Sequence, residues 1–433
     1  MNEAFEAIVT PVPGPRSRAL AARLARAEVP GVTYLAADFP IFWDSASGAT
    51  VTDADGNRYL DLTSAFGVTA AGHNPAAVSA AIADQSRRLI HGMGDVHPTE
   101  LRVQLLEALA RLAPGNLEQS YVSTSGADAV EFALKTAHLA TGKARVIAYD
   151  GAYHGLSLGA LEVAGIEKFR APFAPLVAQR ATLLPFPGAQ TNCEVALQSL
   201  ADALDREPDV GAVILEPIQG RAGVIVPPAG FLRGVRALCD ERGVLMILDE
   251  IYTGFGRTGA MFACLHEDVV PDLLCVGKAL GGGVPLAATI GSERVMGAWP
   301  PSRGEALHTA TFMGNPLACT AALANLELIE REGLPARAAR DGPQLGARLA
   351  SFRRLPSVRN VRGIGFLWAV EFASTAAAYA AVAGGLQRGL ILLQSGPTGS
   401  SITIAPPLAI GERQLERALT LFEQTLQETE AEG

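Results

Sequence analysis

Cysteine is scarce in this chain: five residues, Cys193, Cys239, Cys264, Cys275 and Cys319, stand among 433. None has the CxxC spacing of a zinc or redox site, so they read as small buried hydrophobes in a reducing compartment, and no metal is expected. Basic charge is in deficit as well, with 35 Lys plus Arg against 44 Asp plus Glu and a net charge of -9. That sign argues against nucleic acid or an anionic membrane as the main partner. No apolar run approaches the ~18 residues of a membrane helix. The N-terminus, with Glu3 and Glu6 followed by several prolines, lacks the order of a secretion signal. A soluble cytoplasmic protein is therefore expected. What is abundant is apolar: hydrophobic residues make up 49 % and charged residues 18 %, the balance of a globular enzyme with a buried core. At this length two domains, or one large domain with an appendage, are expected.

Along the chain, Ser17 to Glu28 carries arginines at 18, 23 and 26 among alanines and leucines, a short helix with a solvated basic face. From Ala49 to Leu62 two strands are expected around the turn Asp55-Gly56-Asn57. Helical patterns over 76–90, 99–112, 127–140 and 231–242 then alternate with short apolar runs at 119–122, 145–149, 212–215 and 244–248. Such alternation predicts a mainly parallel sheet with helices on both faces and a site at the C-terminal strand ends. Beyond Pro316 a long helix to about Arg331 opens a smaller α+β part, in which Arg362 to Phe372 reads as the central strand. The division expected is residues 1–75, joined to the small domain, then 76–320 and 321–433.

Several strand ends carry chemistry. The run Val244 to Leu248 ends in Asp249-Glu250, and Lys278 follows in the glycine-rich Gly277-Lys-Ala-Leu-Gly-Gly-Gly283. An acid at a buried strand tip with a lysine in such a turn suits an aldehyde cofactor: the acid keeps a ring nitrogen protonated and the amine forms a Schiff base. Ser123-Thr-Ser-Gly126 precedes an amphipathic helix whose first N–H groups, at Gly126 and Ala127, can face a phosphate, or whose serine merely caps it. Tyr153-His154 offers a ring to stack and an imidazole to line the site. Glu216, in Glu216-Pro-Ile-Gln-Gly220, adds a carboxylate at another strand end.

Taken in order, eight motifs resemble the class III, or omega, aminotransferases of the fold-type I pyridoxal phosphate enzymes. They are Asp53 to Asp61, Gly72-His-Asn-Pro75, Ser125 to Glu131, Ala152-Tyr-His-Gly155, Glu216 to Gly220, Asp249 to Gly259, Gly277-Lys278 and Thr311 to Pro316. The resemblance implies an α/β fold: a large domain with a mainly parallel seven-stranded sheet flanked by helices, plus a small α+β domain from the N- and C-terminal parts. It implies pyridoxal 5'-phosphate, with Lys278 as the Schiff-base lysine and Asp249 on the pyridine nitrogen. Tyr153 and Ile251 would sandwich the ring, and Ser125, Gly126, Ala127 and, from a partner subunit, Thr311 would hold the phosphate. His154, Glu216 and Tyr252 would also contact the cofactor. A homodimer with shared active sites follows from the same likeness, as does ping-pong transfer of an amino group from a primary amine or (omega-)amino acid to a 2-oxo acid or aldehyde.

Three positions depart from the family pattern. Thr403, in Ser401-Ile-Thr-Ile-Ala-Pro-Pro-Leu408, stands where many members carry an arginine that grips a carboxylate and otherwise pairs with the glutamate here numbered 216. A hydroxyl cannot supply a guanidinium's bidentate contact, so either Arg221 takes over or it is a surface arginine at the entrance. Tyr252 replaces a glutamine that touches the cofactor ring hydroxyl. Phe66, with Trp43 and Tyr34, gives the pocket an apolar side or packs the core. An amino acid racemase or epimerase on the same scaffold is the alternative, since it begins by removing the same proton.

Overall fold

The computed structural model describes residues 5–431. Residues 1–4, with Glu3, and 432–433, parts of the two outer segments delimited above, lie outside the described residues. In chain order the strands are β1 Trp43–Ser47, β2 Thr50–Asp53, β3 Arg58–Asp61, β4 Gln119–Ser123, β5 Arg145–Tyr149, β6 Ala181–Leu184, β7 Val210–Leu215 and β8 Leu245–Asp249. There follow β9 Leu273–Val276, β10 Ala287–Gly291, β11 Val358–Ile364, β12 Leu367–Phe372, β13 Leu390–Ile391, β14 Leu393–Ser395 and β15 Ser401–Ile404.

Apolar content builds the central sheet. Every residue of β7, β8, β9 and β10 is buried, which a strand achieves only where helices cover both faces, so these segments read as continuous apolar runs rather than alternating ones. The sheet has seven strands in the order β4-β10-β9-β8-β7-β5-β6. β10 alone runs against the direction of the other six strands. The C-terminal ends of β4, β5, β7, β8 and β9 therefore open on one edge, and the loops that leave them carry the motifs into one place.

The helices keep their sequence signals. Pro316–Arg331 begins with Asn315, whose Oδ1 accepts from Leu317 and Ala318 N–H, and with proline in its first turn. The helix expected over 76–90 stops at Ser86, after which the turn tightens, with Arg87 N–H on Asp84 O and Arg88 N–H on Gln85 O, and Gln85 Nε2 donates to Leu89 O.

Two four-stranded sheets complete the fold. One joins the N-terminal hairpin to the C-terminal part through β13, parallel to β3, in the order β1-β2-β3-β13. The other runs β11-β12-β15-β14. Here the single strand expected from Arg362 to Phe372 is corrected: it is the end of β11, a turn at Gly365-Phe366, and β12, with Ile364 opposite Leu367. Gly365 takes φ +57, and a Cβ there would lie 2.4 Å from the Thr258 carbonyl carbon, so only glycine turns the chain this close to another backbone. Among the described residues no helix is long and apolar enough to cross a membrane.

Candidate functional site

A cavity of about 550 Å³ opens at that sheet edge. The end of β8 places Asp249 on its floor, 4 % exposed. His154 Nδ1, 2.8 Å from Asp249 Oδ2, donates to it, because an ionised carboxylate can only accept, while Ile251 N–H donates to Oδ1 at 3.0 Å. His154 comes from the loop after β5 and is itself buried, and its Nε2 has no partner among the described residues.

Lys278 follows β9 and takes φ +44, a left-handed conformation that a lysine adopts only where its surroundings impose it. Its Nζ lies 4.2 Å from the centroid of the Tyr252 ring. Burial depresses the lysine pKa, opposed by the charges of Asp249 and Glu216, so neutral amine is more accessible than on an exposed lysine. The phenol facing it has little room to move. A Cβ on Gly67 would come within 2.3 Å of Tyr252 Cε2 and one on Gly220 within 2.2 Å of Cδ1, so the ring fills a slot between two glycines. Burial pushes the Tyr252 pKa up to about 12.

At the end of β7, buried Glu216 accepts from Tyr153 N–H through Oε1 at 2.9 Å and from Gly220 N–H through Oε2 at 3.0 Å. Burial raises its pKa to about 7, against the pull of His154 and these two N–H donors. After β4 the helix Gly126–Thr141 begins at the cavity, with Ser125 as its N-cap: the side chain accepts from Asp128 N–H, and Ser125 itself is not among the residues that line the cavity. Ile251 packs so close to Gly126 that a Cβ there would lie 2.7 Å from its Cδ1.

Of the residues singled out in the sequence, Phe66, Gly126, Ala127, Tyr153, His154, Glu216, Arg221, Asp249, Ile251, Tyr252, Lys278 and Thr403 all line this cavity. Thr311 sits exposed in a turn outside it. Trp43 and Tyr34 do not reach it: Trp43 packs edge-on against His73 and Tyr34 lies by Phe39, so of the three aromatics only Phe66 borders the pocket. Glu250, the second acid of the pair, accepts from Ala263 N–H, Cys264 N–H and Thr253 Oγ1, and so holds the loop behind the site. Leu393, Gln394 and Ser395 also line the cavity. Sequence reasoning missed them, because a three-residue strand has no periodicity to read.

The site fits pyridoxal phosphate. First-turn N–H groups of Gly126 and Ala127, which have no partner within their own helix, suit a phosphate. A buried carboxylate oriented by an imidazole, beside a buried lysine of depressed pKa, suits a cationic ring nitrogen and an aldehyde.

The family model Aminotransferase class-III matches residues 34–426. A transaminase from the marine bacterium Virgibacillus superposes with a TM-score of 0.90 at 25 % identity, over 96 % of this chain and 100 % of its own. An amine transaminase from an uncultivated Pseudomonas species, solved in a PLP-bound form, gives 0.85 at 29 % over 93 % and 98 %. The ornithine aminotransferase of Toxoplasma gondii gives 0.87 at 29 % over 96 % of each chain. With the family matched along nearly the whole sequence and its cofactor accommodated by the site, this chain belongs to the class III aminotransferases and is a pyridoxal phosphate-dependent transaminase.

Proposed function

We propose that the enzyme moves an amino group from a primary amine or (omega-)amino acid to a 2-oxo acid or aldehyde by a ping-pong mechanism. The observation that carries this reading is the meeting of Lys278 and Asp249, from two neighbouring strands, in one cavity with the start of the helix Gly126–Thr141. Bound pyridoxal phosphate supplies an aldehyde that condenses with amines and a protonated ring that withdraws electrons from the carbon bearing the nitrogen. Asp249 keeps that ring nitrogen protonated, and His154 Nδ1–H holds the carboxylate in place for it. Gly126 and Ala127 N–H, with Thr311 of the partner subunit, bind the phosphate. Tyr153 and Ile251 hold the ring between them, and Tyr252 closes the lysine side.

Lys278 Nζ, when free, would take the proton from the substrate carbon on one side of the transferred nitrogen and deliver it to the cofactor carbon on the other side. Burial favours its neutral, proton-accepting form at this step. The amino group stays in the site while the first carbonyl product leaves, and the second substrate then collects it.

The purified holoenzyme is incubated with single-enantiomer amino acids and neutral amines, with and without pyruvate or 2-oxoglutarate. Amine appearing on the acceptor, and only in its presence, supports the reading. Racemisation without any acceptor overturns it in favour of a racemase. Replacing Lys278 by alanine is expected to abolish borohydride trapping of the cofactor on the protein; trapping at another lysine refutes the assignment.

A further inference from the structure

One cation lining the cavity has no task in that reading. Arg221, exposed at the rim, carries its guanidinium 5.1 Å above the Tyr153 ring centroid and 5.2 Å from that of Phe169. It has no carboxylate partner among the described residues. The geometry points to Arg221 as the carboxylate receptor of this pocket, which makes amino acids and oxo acids its substrates; the inference rests on the aminotransferase reading above.

Apart from the buried His154 Nε2, which has no partner among the described residues, the charged groups around it are already engaged. Lys278 works at the reacting carbon, and His154 is bonded to Asp249. Thr403 donates its hydroxyl to Ser395 Oγ at 2.7 Å. Glu216 has a backbone N–H on each carboxylate oxygen, so it does not draw a guanidinium across the pocket. The buried Arg257 is locked to Phe366 O, Pro406 O and Ser64 Oγ, and does not line the cavity.

Arg221 is built to move from a fixed base. Its carbonyl accepts from Gly396 N–H at 2.9 Å, and Gly223 N–H closes the turn onto Gly220 O at 3.2 Å. Arg362 Nε ties the same turn down through Gly223 O at 2.8 Å. The backbone is thus held on both sides while the side chain rests on two ring faces at an exposed site, a weak hold. A carboxylate offers the same guanidinium two parallel charge-assisted hydrogen bonds, which are stronger. The charge of Arg221 is also felt at the reacting amine, where it helps lower the Lys278 pKa. A substrate would lie with its amine at Lys278 and its carboxylate toward the Tyr153 wall, its carbon chain passing Phe66, Leu156 and Leu393, which border the same space.

The test separates carboxylate binding from turnover. Holoenzyme and its Arg221→Met and Arg221→Lys variants are titrated calorimetrically with 4-phenylbutyrate, a carboxylate with no amine to react. KM and kcat are then measured with 4-aminobutyrate, alanine and, as neutral donor, benzylamine. In Arg221→Met the Kd for 4-phenylbutyrate and the KM for the amino acids are expected to rise about 10- to 100-fold, the loss of a charged hydrogen-bond pair. Their kcat and the benzylamine KM stay within about threefold. Arg221→Lys recovers part of the affinity, as a point charge without the fork. Unchanged carboxylate affinity in Arg221→Met, equal losses for benzylamine and amino acids, or no binding of 4-phenylbutyrate to the parent enzyme would each overturn the assignment. Racemisation without an acceptor would overturn the transfer reaction and leave this binding result standing.

Discussion

Glu216 shows how a single side chain can be misjudged by its neighbours in the family. With Thr403 in place of an arginine it is expected to be an unpaired acid, yet Tyr153 and Gly220 N–H satisfy both oxygens at no cost in extra charge. Burial still raises its pKa from 4.5 to about 7. Because the folded-state value lies above the unfolded one, the bound proton stabilises the native state. That contribution is complete below about pH 4.5 and is lost as pH rises through about 7, and the shift corresponds to about 3 kcal/mol. In the cofactor-free protein, Glu216→Gln is therefore expected to flatten the dependence of unfolding free energy on pH between about 5 and 8, as read by urea titration. The variant is also expected to be weaker by about 1–3 kcal/mol at low pH, since its amide turns an N–H group toward one of the two donors. Parallel curves for the two proteins would mean that Glu216 does not hold the proton.

At the scale of elements, periodicity was informative wherever a helix presents one apolar face or a strand is buried on both. Phe231–Arg242 and β5 have the limits read from sequence. The β11–β12 hairpin was not legible, because Ile364-Gly-Phe-Leu-Trp-Ala-Val carries no polar turn residue. The reversal depends on a backbone, that of Thr258, which lies more than 100 positions away. A Gly365→Ala substitution brings a methyl into that backbone and holds alanine at positive φ. It is expected to lower stability by about 2–5 kcal/mol, overpacking added to the left-handed penalty. The midpoint of urea unfolding measures it; a loss below about 0.5 kcal/mol would show that the turn shifts freely.

For the whole molecule, the exposed apolar side chains have a pattern. Leu89, Ile90, Met93, Val96, Val103, Leu307 and Phe312 are all open to solvent. Phe312 packs on His91, and Arg102 reaches Gly94 O, so the segments around residues 90 and 312 form one surface beside Thr311. A face of this kind is covered in a working protein, and we propose that a second copy covers it. Light scattering is expected to give twice the chain mass of 45.1 kDa, and Phe312→Glu with Val96→Asp to shift the protein toward monomer. Co-expressing Lys278→Ala with Thr311→Glu chains is expected to regain activity, since mixed dimers carry one intact site. A monomeric active enzyme would refute the shared site.

Local chemistry along the chain was enough to suggest a mainly parallel α/β sheet and an aldehyde cofactor, because a strand tip, a glycine turn and a helix start have short-range signatures; the resemblance carried by eight ordered motifs then pointed to pyridoxal phosphate and to roles for Asp249 and Lys278. Folding decided what depends on distant segments meeting: that His154 donates to Asp249, that Tyr252 fills a slot between Gly67 and Gly220, and that Leu393, Gln394 and Ser395 close the cavity. Those contacts join residues up to some 300 positions apart, and no local pattern encodes a neighbour brought close only by the packing of a sheet.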